Sequence, residues 1–185
     1  LPAYRLLCEI YWEQNDFRAA DAILESVPVG KFDTLAVQML KGKNLYKEGK
    51  YGEARKHYGN FMRAYGWNEV AARGLAKACE AFGDYEQARK LYREMISRCS
   101  GCGSRIDPFV KKRYADLSFA AGEKTPAVLE MYLSLARELP EMAAECYEKV
   151  SRIYEAQGNE MEARRFRTFS KRAWNNSNRN DNMTA

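Results

Sequence analysis

Apolar side chains return at helical spacing through most of the chain. In "LYREMI" they are Leu91, Tyr92, Met95 and Ile96, and "LLCEIYW", which opens at Leu6, has the same rhythm. Returns at i+3 and i+4 place side chains on one face of a helix, so these stretches are expected to be amphipathic helices. Between them the polar positions are also patterned. "GKYGEARKHY" from Gly49 and "GDYEQARKLY" from Gly83 share Gly, Tyr, Ala, Arg, Lys and Tyr at the same places, 34 residues apart. Self-similarity at a fixed period marks a repeated supersecondary unit.

Gly49 and Gly83 anchor the search for further copies. Asn15, Gly122 and Gly158 take the same slot, giving spacings of 34, 34, 39 and 36 residues. Five residues beyond each anchor stand Ala20, Ala54, Ala88, Ala127 and Ala163. Seven residues before it stand Cys8, Gly42, Ala76, Ala115 and Ser151, all small. Small residues at mid-helix let a neighbouring helix approach closely. The anchor suits the left-handed backbone that ends many helices. Each copy is therefore expected to be helix, tight turn, helix. Pro28 and Pro140 separate copies, because the residue before proline is pushed out of the helical region. "IDPFVKK" and "KTPAVLE" offer Asp107 and Thr125 as N-caps, each with proline at the first helical position.

A 34-residue helical hairpin with small, Gly and Ala slots resembles the tetratricopeptide repeat, and the likeness runs over roughly residues 2–174. It implies an all-α fold, a right-handed α-solenoid of about five antiparallel helix pairs with a C-terminal capping helix. The units are expected at about 2–28, 33–66, 68–99, 108–139 and 141–174, followed by a disordered Asn-rich tail, 175–185. The resemblance also implies a non-catalytic interaction module, in which the first helices line a concave groove for a partner's peptide or helix. Its groove slots, 13, 10, 6 and 3 residues before each anchor, include Arg5, Glu9 and Trp12 in the first unit. The candidate partner-binding set comes from the middle units: Met39, Lys43, Tyr46, Arg73, Lys77, Lys112 and Phe119. Cations on successive units suit a segment with carboxylates beside apolar residues. The family's clamp for chaperone C-termini is not reproduced, since Glu9, Val70 and Gly74 stand at clamp slots.

Charge adds one feature. The formal net charge is +5, and the segment from Arg164 onward, with six basic residues and Asp181, carries all of it. The stretch "EARRFRTFSKRAW", residues 162–174, interleaves cations with Phe166, Phe169 and Trp174. Its two readings are a cap whose aromatics cover the last unit and an adaptor surface for nucleic acid or anionic membrane; the cap is expected. With 46% hydrophobic residues the chain can bury a core, and no apolar run is long enough for a membrane span. Leu1 in place of Met suggests a fragment or a processed product, and the scattered cysteines suggest a reducing, cytoplasmic setting.

Candidate chemistry is sparse. Cys99 and Cys102 have C-x-x-C spacing in the stretch that lengthens the third period; incidental or stabilising loop thiols are the expected reading, with a reversible disulfide or an intermolecular metal as alternatives. A zinc site would need two more ligands, so neither metal nor cofactor is expected. His57 lacks a neighbouring catalytic set, and Cys8 and Cys79 fall in core slots. No nucleophile elbow, phosphate-binding glycine loop or H-E-x-x-H occurs, so an enzyme is not expected.

Overall fold

The computed structural model describes residues 2–28, 31–101 and 106–181. These contain ten α-helices and no strand. The helices are α1 (Pro2–Glu13), α2 (Phe17–Glu25), α3 (Lys31–Lys47), α4 (Tyr51–Tyr65) and α5 (Glu69–Phe82). Then come α6 (Tyr85–Gly101), α7 (Pro108–Ala120), α8 (Pro126–Glu138), α9 (Ala143–Ala156) and α10 (Glu160–Asp181), with a 3-10 turn at Pro140–Met142 before α9. By contact the chain divides into two compact units, Leu1–Met95 and Ile96–Ala185.

Five turns join the helices into pairs, and all five have one chemistry. Asn15, Gly49, Gly83, Gly122 and Gly158 have φ of 57°, 83°, 93°, 83° and 75°. Each anchor N–H bonds the carbonyl three residues back, as Gly83 does to Glu80 at 3.0 Å. The next N–H reaches five residues back: Asp16 to Tyr11, Lys50 to Leu45, Asp84 to Cys79, Glu123 to Ser118 and Asn159 to Tyr154, all at 2.8–2.9 Å. This is the Schellman closure, which satisfies carbonyls at a helix end and requires a left-handed residue. Asn15 shows why one unit can dispense with glycine: asparagine is the side chain that enters this region most readily.

Close approach between the paired helices is equally direct. Cys8, Ala76, Ala115 and Ser151 are at most 2% exposed, and Gly42 is buried. The Cys8 Sγ donates to the Ala20 carbonyl at 3.9 Å, and the Ser151 Oγ donates to the Ala163 carbonyl at 2.8 Å. The small slot and the alanine slot thus face each other across the pair, near enough for a thiol or hydroxyl to reach backbone. Ala20, Ala54, Ala88 and Ala163 are buried as well.

Ala127 corrects the expected register. It is exposed, and Val128, 1% exposed, points inward instead. The cause lies in the turn: α8 starts four residues after its anchor, where α2, α4, α6 and α10 start two after theirs. The added residues turn the helix so that its buried face begins one position later. Asp107 and Thr125 cap α7 and α8 as expected, accepting from the Phe109 and Val128 amides at 2.8 and 3.4 Å.

The first unit's core holds Cys8, Trp12, Ala20, Leu24, Val27, Val37 and Leu40. Farther along, the Tyr58 ring of α4 fills the space left by two glycines: a Cβ built on Gly42 or on Gly74 would lie 2.5 Å from its Cζ. In the second unit Val128, Tyr132, Leu135, Cys146, Val150 and Ile153 form the core. The last helix covers α9 with its aromatic face. Phe166 stacks on Tyr154 at 5.6 Å and meets Tyr147 at 5.9 Å, and Phe169 meets Tyr147 at 5.8 Å. The segment expected to be disordered from residue 175 is helical through Asp181. Asn and Ser each lower helix propensity by only a fraction of a kcal/mol, so a helix already nucleated by packing can propagate through them.

Candidate functional site

In the first unit, α3 and α5 carry five of the seven candidate residues. Met39, Lys43 and Tyr46 lie on successive turns of α3, and Arg73 and Lys77 are one turn apart on α5. Lys43 has the most defined surroundings. Its Nζ stands 4.5 Å over the Trp12 ring and 3.8 Å from Glu9 Oε1. The same Glu9 oxygen accepts from Arg5 Nε at 3.1 Å. Burial lowers the Lys43 pKa from its ordinary value; Glu9, next in size, acts the other way, and the like charges of Arg5, Lys47 and Lys77 add to the lowering. Lys43 and Lys77 therefore share one electrostatic neighbourhood.

Trp12 is a fixed platform. It is 7% exposed, and its Nε1 donates to Asn44 Oδ1 at 2.7 Å. The other end of the Asn44 amide donates to the Phe17 carbonyl at 3.1 Å. Beside this cluster the Tyr46 ring meets Tyr51 at 5.3 Å, and Arg73 pairs with Glu69 at 3.1 Å. Tyr92, whose hydroxyl donates to Glu80 at 2.6 Å, lies within the electrostatic reach of both Tyr46 and Arg73. Burial, with Tyr46 also acting upward, pushes the Tyr92 pKa well above its usual value, against the opposing pull of Arg73. The candidate set omits Arg5, Glu9 and Trp12, although their slots were legible. It also omits Lys47, which falls outside the slots.

The second unit treats its candidates differently. The Lys112 Nζ donates to Asp116 at 2.8 Å and to Glu145, on α9, at 2.9 Å. Burial alone would lower this lysine's pKa; the two carboxylate bonds outweigh it and hold the value above normal. Asp116 also accepts from the Tyr132 hydroxyl at 3.0 Å. The Phe119 ring has Lys149 at 4.8 Å and Lys124 at 5.9 Å. Lys112 and Phe119 are thus engaged within their own unit.

The remaining candidates are quickly placed. His57 Nε2 lies 2.7 Å from the Gln38 carbonyl, a satisfied half-buried histidine. On α10 the cations meet acids: Arg164 with Glu160 at 2.9 Å, Arg165 with Glu162 at 3.4 Å, and Arg167 with Glu155. The Cys99–Cys102 reading lies outside the described residues, since Cys102 is not among them. Among the described residues no group of three or more His, Cys, Asp or Glu side chains could hold a metal ion. No helix among them is long and apolar enough to cross a membrane.

Three thiols are closed to chemistry. Cys8, Cys79 and Cys146 are at most 1% exposed. Burial raises all three pKa values, to about 11 for Cys79 and Cys146. Since the thiolate is the reactive form, these three are expected to resist an aromatic disulfide reagent at pH 8 in the native protein and to react at once in denaturant. Labelling followed by peptide mass mapping checks this; modification of Cys79 or Cys146 in the folded chain would contradict it.

Comparison with known proteins agrees with the helical-repeat fold. A tetratricopeptide repeat family model matches residues 45–98, which run from the end of α3 into α6. The crystal structure of MamA superposes with a TM-score of 0.72 at 14% identity, covering 93% of this chain and 96% of that one. A structure of the TPR-like repeats of a Podosopora anserina kinesin light chain gives a TM-score of 0.69 at 17% identity, covering 97% and 96%. At these identities the two structures speak for the fold alone. Comparison with curated proteins returned no match.

Proposed function

We propose that the chain, whose residues 45–98 match a tetratricopeptide repeat family model, is a non-catalytic scaffold module whose first unit holds an acidic, partly apolar segment of a partner protein. One observation carries the reading: the Lys43 ammonium stands 4.5 Å over the Trp12 ring and 3.8 Å from Glu9, with Arg5, Lys47 and Lys77 acting on it as like charges. Like charges held together repel, and a ligand that brings carboxylates relieves that repulsion on binding. Tyr46 and Met39, both half-buried, supply apolar surface on the same helix as Lys43. Arg73 and Lys77 sit four residues apart and so share a face of α5.

Lys112 and Phe119 have a smaller part in this proposal than the first-unit residues, because Asp116, Glu145 and Lys149 already occupy them. The test uses a fluorescein-labelled peptide, acetyl-Glu-Glu-Leu-Glu-Glu-Leu-amide, and fluorescence polarisation. Wild-type protein is expected to bind it at low salt and to weaken as salt screens the charges. The double variant Arg73→Glu, Lys77→Glu is expected to lose binding, and Lys77→Glu alone, at an exposed position, is expected to weaken it with the melting temperature nearly unchanged, since exposed charges contribute little to stability. Undiminished binding by the double variant would move the site elsewhere, with the outer face of α10 the next surface to examine.

A further inference from the structure

Glu9 lies against two cations of the first unit. Its Oε1 is shared between Arg5 Nε at 3.1 Å and Lys43 Nζ at 3.8 Å. The Arg5 contact is a hydrogen bond within α1; the Lys43 contact is too long to be one. Lys43 is consequently attracted to Glu9 without being satisfied by it. Beneath it lies Trp12, itself tied to Asn44, so the ammonium rests on a fixed ring.

Building on the groove reading above, we infer that Glu9 is a built-in competitor that sets the threshold for acidic partners. Glu9 is tethered to the helix that presents Arg5, so its local concentration beside Lys43 is always high. A segment offering one carboxylate exchanges one weak contact for another and gains little. A segment offering several can bond Lys43 at ordinary distance and engage Lys77 and Arg73 as well, which displaces Glu9 toward Arg5. The residue thus works by repulsion, excluding weakly charged segments while costing strongly charged ones a modest part of their affinity. The lowered pKa of Lys43 fits this arrangement, since a single distant carboxylate does not outweigh burial and three like charges.

The experiment compares the full chain with its Glu9→Gln variant, which keeps side-chain size and removes the charge. The probes are the labelled Glu-Glu-Leu-Glu-Glu-Leu peptide and its counterpart with Gln for every Glu. Glu9→Gln is expected to tighten binding of the acidic peptide roughly two- to fivefold at low salt, the range of one exposed ion pair. The melting temperature and the response to the Gln peptide should stay as they are. Equal or weaker binding of the acidic peptide by Glu9→Gln, with wild type still binding, would overturn the role of Glu9 and leave the groove reading intact. Equal tightening of the Gln peptide would overturn it too, because the effect would not be one of charge. If neither protein binds the acidic peptide, the groove reading fails and this inference fails with it.

Discussion

Tyr58→Ala is expected to destabilise the protein by about 3–5 kcal/mol, the range for emptying a buried aromatic site. The residue is 5% exposed and its ring lies against Gly42 on α3 and Gly74 on α5. Neither glycine has a side chain with which to refill the gap, so the cavity would persist unless two helices moved. The same geometry reverses an ordinary rule. A mid-helix Gly→Ala change commonly stabilises by roughly 0.5–1 kcal/mol. Here a methyl group at either position would lie 2.5 Å from the ring, so Gly42→Ala and Gly74→Ala should destabilise by about 1–3 kcal/mol. With Tyr58→Ala already in place, Gly74→Ala should turn stabilising, because the ring it strikes is gone. Urea unfolding of the single and double variants measures that coupling; additive effects would show that the ring does not hold the two helices apart. Burial also pushes the Tyr58 hydroxyl up to about 12. Its folded pKa lies above the unfolded value, so this contribution to stability is complete below about pH 10 and declines as pH rises toward 12.

Some of this was legible in the sequence, for a physical reason. A left-handed turn residue and a buried small residue are demands that the backbone makes of single positions, so they recur at fixed spacing and can be counted. All five turns followed from that count, including the one at Asn15. Register inside unit four did not follow, because the lengthened turn after Gly122 shifts the phase of α8 without altering the anchor. The partners of side chains were harder still. Lys112 reads as a groove cation from its slot, but its neighbour Glu145 comes from another helix 33 residues on. The Tyr58 ring between Gly42 and Gly74 is equally non-local. Spacing along a helix fixes which face a residue occupies; only the assembled helices fix what that face meets.

Asn44 joins stability to the candidate site, and its removal is the second large effect expected. It is 3% exposed, a buried amide on α3 that bonds Trp12 of α1 and the backbone of Phe17 at the start of α2. Asn44→Ala would leave the indole N–H without its partner and remove one bond from the Phe17 carbonyl, which still accepts within α2. A buried polar group so stranded costs about 1–3 kcal/mol, so the variant should lose about that much in urea unfolding. Asn44→Asp should fare no better, since it could still accept from Trp12 but could no longer donate to Phe17, and would bury a charge. The loss should also reach the ligand. With its N–H unheld, the Trp12 ring no longer stands as a fixed floor beneath Lys43, 4.5 Å away, and the ammonium gains freedom that binding must then remove. Asn44→Ala, assayed well below its melting temperature, should therefore bind the acidic peptide several-fold more weakly although Asn44 touches no ligand. A variant that unfolds within about 0.5 kcal/mol of wild type would show that the amide is not needed between these helices. One that is destabilised yet binds with full affinity would separate the Trp12 platform from recognition, leaving the cations to act by charge alone.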